Sequence, residues 1–301
     1  SLLGLSLGDA SYPVGKVREI ALHPMTFGEF LLALDDSKSL KLMTNQPWDP
    51  DMLSFAHAHI WDRFTSYLVT GGLPEVVKTY VEHADAPQHA YALVRKQQRD
   101  LLNAYFADIA KHAGKVNAMH IERVLDDVPR QLARTHNSQA PRFQFKDVVP
   151  GLDRYQHFVG AIDWLIKTGL VIKVPLITHC ELPLNAYAKQ NLFKLYCFDV
   201  GLLGAMNNLT PKTIIDFQFG TYKGYMAENF VAQMQNTQGQ ALYCWQQDRA
   251  EVEFVCEFNG QMTPLEVKAG QVQRAKSLDK FISLYQPNMA LLLNGLPFSD
   301  N

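Results

Sequence analysis

Apolar positions in the first part of the chain recur at the spacing of helices. Thr26-Phe27-Gly28-Glu29 has the form of a capping box and opens a helix with Phe27, Phe30, Leu31 and Leu34 on one stripe. Asp49 or Asp51 opens another, carrying Phe55, Ile60, Phe64 and Leu68. Gly71-Gly72 ends it, and Pro74 starts the next as a first-turn proline. A long helix is expected over 86–113, closed by Gly114. Ahead of these, 12–15 reads as a turn and 17–22 as a short extended piece. By pattern alone this is a helical packing domain without evident chemistry.

The rhythm changes after Gly114. Asn117 suits the cap of a helix with Ile121, Val124, Leu125, Val128 and Leu132 on one face. After a polar loop, Phe143-x-Phe145-x-x-Val148 leads into a second helix. A third spans 155–167, with Phe158, Val159, Ile162 and Leu165 inward. Strands at 170–174 and 191–198 flank a proline-containing excursion. Three helices and a two-stranded wing are the pattern of a winged helix. Read as a DNA-binding unit, it offers Arg154 and Lys167 near the third helix, and Lys173, Lys189 and Lys194 on the wing. The third helix itself holds Asp163 and Trp164, and basic residues only slightly outnumber acidic ones here. The same fold also serves as a protein-docking or lid module.

Asp199 and Thr210-Pro211 open two connecting helices. From Gly220 the pattern is αβββαβ. A helix over 225–235 has Met226, Phe230, Val231 and Met234 apolar, with Glu228 among them. A strand at 241–245 is followed by Glu251-Val252-Glu253-Phe254, the hairpin dipeptide Asn259-Gly260, and Pro264-Leu265-Glu266-Val267-Lys268. Leu278, Phe281, Ile282 and Tyr285 mark a helix over 274–285, and 289–293 reads as a buried strand. Strand alternation puts Glu266 and Lys268 on one face with Val267 on the other, and Glu251 and Glu253 on the face opposite Val252 and Phe254. Pairing across Asn259-Gly260 would gather carboxylates and an ammonium at one spot. Carboxylates are the hard ligands Mg²⁺ or Mn²⁺ prefers. A lysine beside them positions water or stabilises charge growing on a phosphate. The plain alternative is the wet face of a half-covered sheet.

With 301 residues, 47% of them apolar, the chain has material for two or three domains. A net charge of -2 and a pI near 6.5 exclude a whole-chain electrostatic footprint for nucleic acid, so such binding needs a local patch. Cys180, Cys197, Cys244 and Cys256 form no C-x-x-C pair, and their apolar contexts suggest buried free thiols in a reducing cytoplasm. His57 and His59 are spaced wrongly for sharing a helix face, and no zinc pattern is present. No apolar run reaches membrane-spanning length, and no signal peptide is visible. Ser1-Leu2-Leu3-Gly4-Leu5 has no initiator Met and reads as the end of something buried, so a longer native protein is expected.

The order αβββαβ, with Glu228 on its first helix, Glu253 on its second strand and Glu266-x-Lys268 on its third, resembles the PD-(D/E)XK nuclease superfamily, the restriction-endonuclease-like fold. That superfamily usually has Asp where this chain has Glu253, one methylene longer. The resemblance implies Glu253 and Glu266 as ligands of Mg²⁺ or Mn²⁺, Lys268 as the orienter of the attacking water, and Glu228 as a base or a completion of the metal's shell. A second resemblance covers nearly the whole chain. His23-Pro-Met-Thr-Phe-Gly-Glu-Phe-Leu-Leu32, Tyr67-Leu-Val-Thr-Gly-Gly-Leu-Pro-Glu-Val-Val77 and Leu101-Leu-Asn-Ala-Tyr-Phe-Ala-Asp-Ile109 look like a family of prokaryotic AAA-type ATPases, in which a P-loop core precedes a helical lid, a winged helix and a nuclease-like domain. Ser1–Gly4 looks like the stretch just after the ATPase sensor strand. The chain has no G-x-x-x-x-G-K-[ST], so ATP would belong to a preceding ATPase module.

The expectation is an α+β multidomain chain. A helical lid-like domain spans 1–114, a winged helix 115–208, and a PD-(D/E)XK nuclease-like domain 209–301. Its expected work is phosphodiester hydrolysis, with DNA and the ATPase module as partners and no membrane. The alternative is an inactive nuclease fold acting as a DNA- or protein-binding module, and a plain transcription regulator is a third reading.

Overall fold

The computed structural model describes residues 20–45, 48–113, 115–134, 142–270 and 274–297. The expected turn at 12–15, the first half of the extended piece at 17–22 and the closing Gly114 lie outside them. The chain builds α1 (Phe27–Ala33), α2 (Ser37–Thr44), α3 (Pro50–Thr70), α4 (Pro74–Glu82), α5 (Pro87–His112), α6 (Lys115–Arg134) and α7 (Tyr155–Lys167). Then come β1 (Val171–Ile177), β2 (Ala188–Cys197), α8 (Val200–Met206) and α9 (Pro211–Ile215). The last stretch is α10 (Tyr222–Thr237), β3 (Tyr243–Gln247), β4 (Ala250–Phe258), β5 (Gln261–Val267), α11 (Lys276–Tyr285) and β6 (Leu291–Leu293), in the expected order αβββαβ.

The helical part starts where its sequence says. Thr26 and Glu29 exchange backbone bonds as a capping box at α1, and Asp49 accepts from the N–H groups of Asp51 and Met52 at α3. The Gly71-Gly72 break has a packing reason. Gly72 N donates to Asp199 Oδ2 at 2.7 Å, and Met25 N donates to Gly72 O at 2.6 Å. A Cβ on Gly71, which sits at φ +76°, would strike Asp199, and one on Gly72 would strike the Met25 carbonyl. Asp199 also caps α8 through Leu202 N, so one buried carboxylate ties α3 to α8. Phe55, expected on the apolar stripe of α3, is instead exposed.

Residues 115–208 depart from the expected winged helix. Among the described residues, α6 and α7 form, but the middle helix expected after Val148 does not. The chain there makes turns and an isolated bridge between Val149 and Leu152. Pro150 disfavours helix at the residue before it, and Asp147 and Gly151 sit at φ 68° and 81°, which ends any helix at once. The expected wing strands do form, as β1 and β2, paired antiparallel.

That pair does not stand apart as a wing. The sheet has six strands in the order β2-β1-β3-β4-β5-β6, with β1 parallel to β3 and β5 parallel to β6. The sheet therefore crosses the domain division expected at residue 208. The cores are shared as well: Val200, Ile214 and Met226 are buried among Phe30, Tyr67 and Val76 of the N-terminal helices. Trp245 and Val252 pack with Phe281 of α11, while Phe254 and Leu265 pack with Val231 of α10.

A carboxylate–lysine cluster as the candidate active site

Two strand pairs and one helix bring the candidate residues together. Asn259 and Gly260 sit at φ 51° and 73°, the geometry of a tight hairpin turn that only such residues adopt cheaply. It sets the β4–β5 register, in which Phe254 faces Leu265. One step further along, the side chains of Glu253 and Glu266 meet and share a hydrogen bond. Lys268, just past the end of β5, reaches both: its Nζ is 3.1 Å from Glu253 Oε1 and 2.7 Å from Glu266 Oε1. Glu253 Oε2 accepts from Val267 N at 3.1 Å.

The expected alternation in β4 holds only in part. Val252 and Phe254 pack in different clusters rather than on one face. The β3–β4 register slips between Tyr243 and Trp245, which places an extra residue in β4, and a bulge of this kind re-aims the side chains around it.

Glu228 on α10 joins through β2. Tyr196 Oη donates to Glu228 Oε2 at 3.0 Å, and Lys194 Nζ lies 3.5 Å from the same oxygen. Lys194 Nζ is also 2.5 Å from Glu251 Oε1. Lys194 is thus a buried member of this cluster and not the solvent-facing wing cation expected for DNA. Sequence reasoning missed this, and it left Glu251 and Tyr196 out of the site. A signal was available: a lone lysine within Leu192-Phe-Lys-Leu-Tyr-Cys197, an otherwise apolar strand, has to find a carboxylate.

Charges are balanced inside the cluster. Burial would strip the Lys194 ammonium of its proton, but Glu228 and Glu251 outweigh that and hold it charged. Burial likewise opposes the charge on Lys268, and Glu253 and Glu266 restore it. Burial, with the neighbouring charges of Glu253 and Glu251, raises Glu228. Glu266 rises to about 9, first through burial and then through Glu253 beside it. Burial acts upward on Glu253 too, but the bond from Glu266, both lysines and Val267 N–H hold it low. The Glu253–Glu266 pair therefore carries one shared proton at neutral pH.

No three His, Cys, Asp or Glu among the described residues converge as a metal-binding group. The cluster does present a pair suited to one. Glu253 Oε1 and Glu266 Oε1 converge on one point, that of Lys268 Nζ, and Glu266 Oε2 is buried without a hydrogen-bond partner. Two carboxylates with an orphaned oxygen fit a Mg²⁺ or Mn²⁺ that keeps water and takes substrate oxygens for the rest of its shell. Lys268 also borders a cavity of about 170 Å³ walled by Trp61, Phe64, Phe217 and Phe230.

The other candidate cations are not gathered. Arg154 and Lys167 flank opposite ends of α7, which places them about 20 Å apart. Lys173 lies over the Phe193 ring at 4.6 Å, and Lys189 is exposed at the start of β2. Arg154 does line a groove with Arg142, Lys146, Phe145 and Tyr155. All four cysteines are free and buried, and among the described residues no helix is long and apolar enough to cross a membrane.

Residues 62–213, just over half of the chain, match a family described as a domain of unknown function, DUF8612. The chain belongs to the DUF8612 family. Residues 223–295 match a second domain of unknown function, DUF4143. No curated protein and no solved structure matches. The two matches divide the cluster. Glu228, Glu251, Glu253, Glu266 and Lys268 fall in the DUF4143 match, while Lys194 and Tyr196 come from the DUF8612 region. The site is composite, and β2 supplies its inner lysine.

Proposed function

We propose that this cluster is the centre of a divalent-metal-dependent phosphodiesterase acting on nucleic acid, the effector part of an ATPase-linked protein. The observation that carries the reading is the meeting of Glu253, Glu266 and Lys268, with an orphaned Glu266 oxygen, beside Glu228. Glu253 and Glu266 would hold Mg²⁺ or Mn²⁺, which supplies Lewis acidity to a phosphoryl oxygen and lowers the pKa of water. To serve as a ligand, Glu266 would release the shared proton to solvent. Lys268, partly exposed at the cavity, turns its ammonium to the attacking water and the phosphate. Glu228, raised by burial, accepts the water's proton. Lys194 and Tyr196 hold Glu228 in place.

Arg154, with the groove it lines, and Lys167, Lys173 and Lys189 are the DNA contacts in this reading. Lys194 is not one of them. DUF4143 commonly accompanies AAA ATPases, which supports a partner module that binds the ATP. Four buried free thiols support work in a reducing compartment such as the cytoplasm.

One observation favours a second reading, an inactive nuclease fold kept as a binding module. Glu253 and Glu266 are only 9% and 1% exposed, and each already meets an ammonium. A Mn²⁺-dependent cleavage assay on single-stranded, duplex and branched DNA, with Lys268→Ala beside the parent, separates the two. Cleavage by the parent that vanishes in the variant is expected. Cleavage that persists in Lys268→Ala would contradict the assignment, and none in either protein would favour the binding module.

A further inference from the structure

A second cavity, about 830 Å³, lies away from the carboxylate cluster between α5 and the α8–α9 segment. Arg95 of α5 forms part of its wall and is 7% exposed. One nitrogen of its guanidinium is well occupied: Nη1 donates to Gln98 Oε1 at 2.5 Å and to Gly201 O at 3.0 Å. Nε and Nη2 are buried and have no partner. A guanidinium is a fork of five donors, and leaving buried ones unpaired is costly. The carboxylate whose charge reaches it, Asp199, spends its oxygens on Gly72 N and Leu202 N.

The rest of the wall carries two cations, Arg99 and Lys212, against one carboxylate, Asp216. Arg99 follows Arg95 by one helical turn, is exposed, and borders the same cavity. Burial, and then the charge of Arg99, bring Arg95 down to about 10. Lys212 also lines the cavity, paired with Asp216 at 2.6 Å. Tyr91, Leu209 and Ile215 supply an apolar side. Two like charges one turn apart on a cavity wall repel each other unless an anion sits between them.

We propose that this cavity binds a small organic oxyanion, with its charged head on Arg95 and Arg99 and its apolar body against Tyr91, Leu209 and Ile215. The site is independent of the carboxylate cluster. Phosphate and carboxylate heads share the required chemistry, and a guanidinium fork donates to either in a bidentate manner.

The test is a calorimetric titration of the whole chain with phenyl phosphate, benzoate, inorganic phosphate and phenol. Saturable binding of phenyl phosphate or benzoate is expected, with the stronger of the two naming the head. Phenol and inorganic phosphate should bind more weakly, since each lacks half of the recognition. Arg99→Gln changes an exposed side chain, so it should keep the parent's unfolding midpoint while weakening binding about tenfold. Arg95→Lys removes the fork and should weaken binding further. Unchanged affinity in Arg99→Gln, phenol binding as tightly as phenyl phosphate, or no saturable binding of either organic anion up to about 10 mM would each overturn the proposal.

Discussion

Two lysines in the cluster do the same thing in opposite settings. Lys268 bridges Glu253 and Glu266, and Lys194 bridges Glu228 and Glu251. The Lys268 side chain is 31% exposed and sits just past a strand end at the edge of a cavity, whereas Lys194 is 6% exposed and lies within β2. An ammonium that keeps contact with solvent can exchange a carboxylate for a phosphate. One that is sealed in pays for its own burial only through its two carboxylates, and removing it leaves them stranded. Under the proposed function, the cluster divides into a working half around Lys268 and a supporting half around Lys194.

The largest expected effect belongs to the sealed half. Lys194→Met should destabilise the chain by about 3–5 kcal/mol, because buried Glu228 loses its cation. Urea unfolding measures this, and a loss under about 1 kcal/mol would place Lys194 with the surface charges. The next effect is a pH dependence. Glu266 has its folded pKa raised to about 9 from an unfolded value near 4.5. The folded state then holds a proton that the unfolded state releases, so this contribution is complete below the unfolded pKa and fades as pH rises towards 9. Glu266→Gln keeps the neutral form at every pH. Its unfolding midpoint should fall less than the parent's between pH 5 and pH 9, and parallel curves would show that Glu266 is ionised in the folded chain. The smallest effect on stability is expected at Lys268. Lys268→Ala should cost about 1 kcal/mol, and an unfolding midpoint many degrees lower would make Lys268 as structural as Lys194.

What the sequence disclosed depended on how local the cause was. The turn at Asn259-Gly260, the caps at Thr26, Asp49 and Asp199, and the order of the last six elements follow from neighbouring residues, and the structure has them. Helix α2 is not evident from the sequence because Ser37-Lys-Ser-Leu-Lys-Leu-Met-Thr44 puts only Leu40 and Met43 against the core, both partly buried, a stripe too short to mark a helix. The middle helix after Val148 was over-read: Pro150-Gly151 outweighs the hydrophobic spacing there. The parallel β1–β3 pairing joins residues far apart in the chain, such as Leu176 and Cys244, and nothing in either strand announces it. That pairing carries β2 into the sheet and Lys194 to Glu228. The half of the site within one hairpin is therefore legible, whereas β2 shows only a lysine in need of a carboxylate and not that Glu228 and Glu251 are its partners.

The central claim is that Glu253 and Glu266 form a ligand pair for a divalent cation. It is tested most directly by titrating Mn²⁺ into the parent chain and into Glu266→Gln, following bound metal by electron paramagnetic resonance. The account predicts one saturable site in the parent, with affinity rising between pH 6 and pH 8 as the shared proton is displaced, and loss of that site in the variant. Equal binding in both proteins, or no saturable site in the parent, would contradict it.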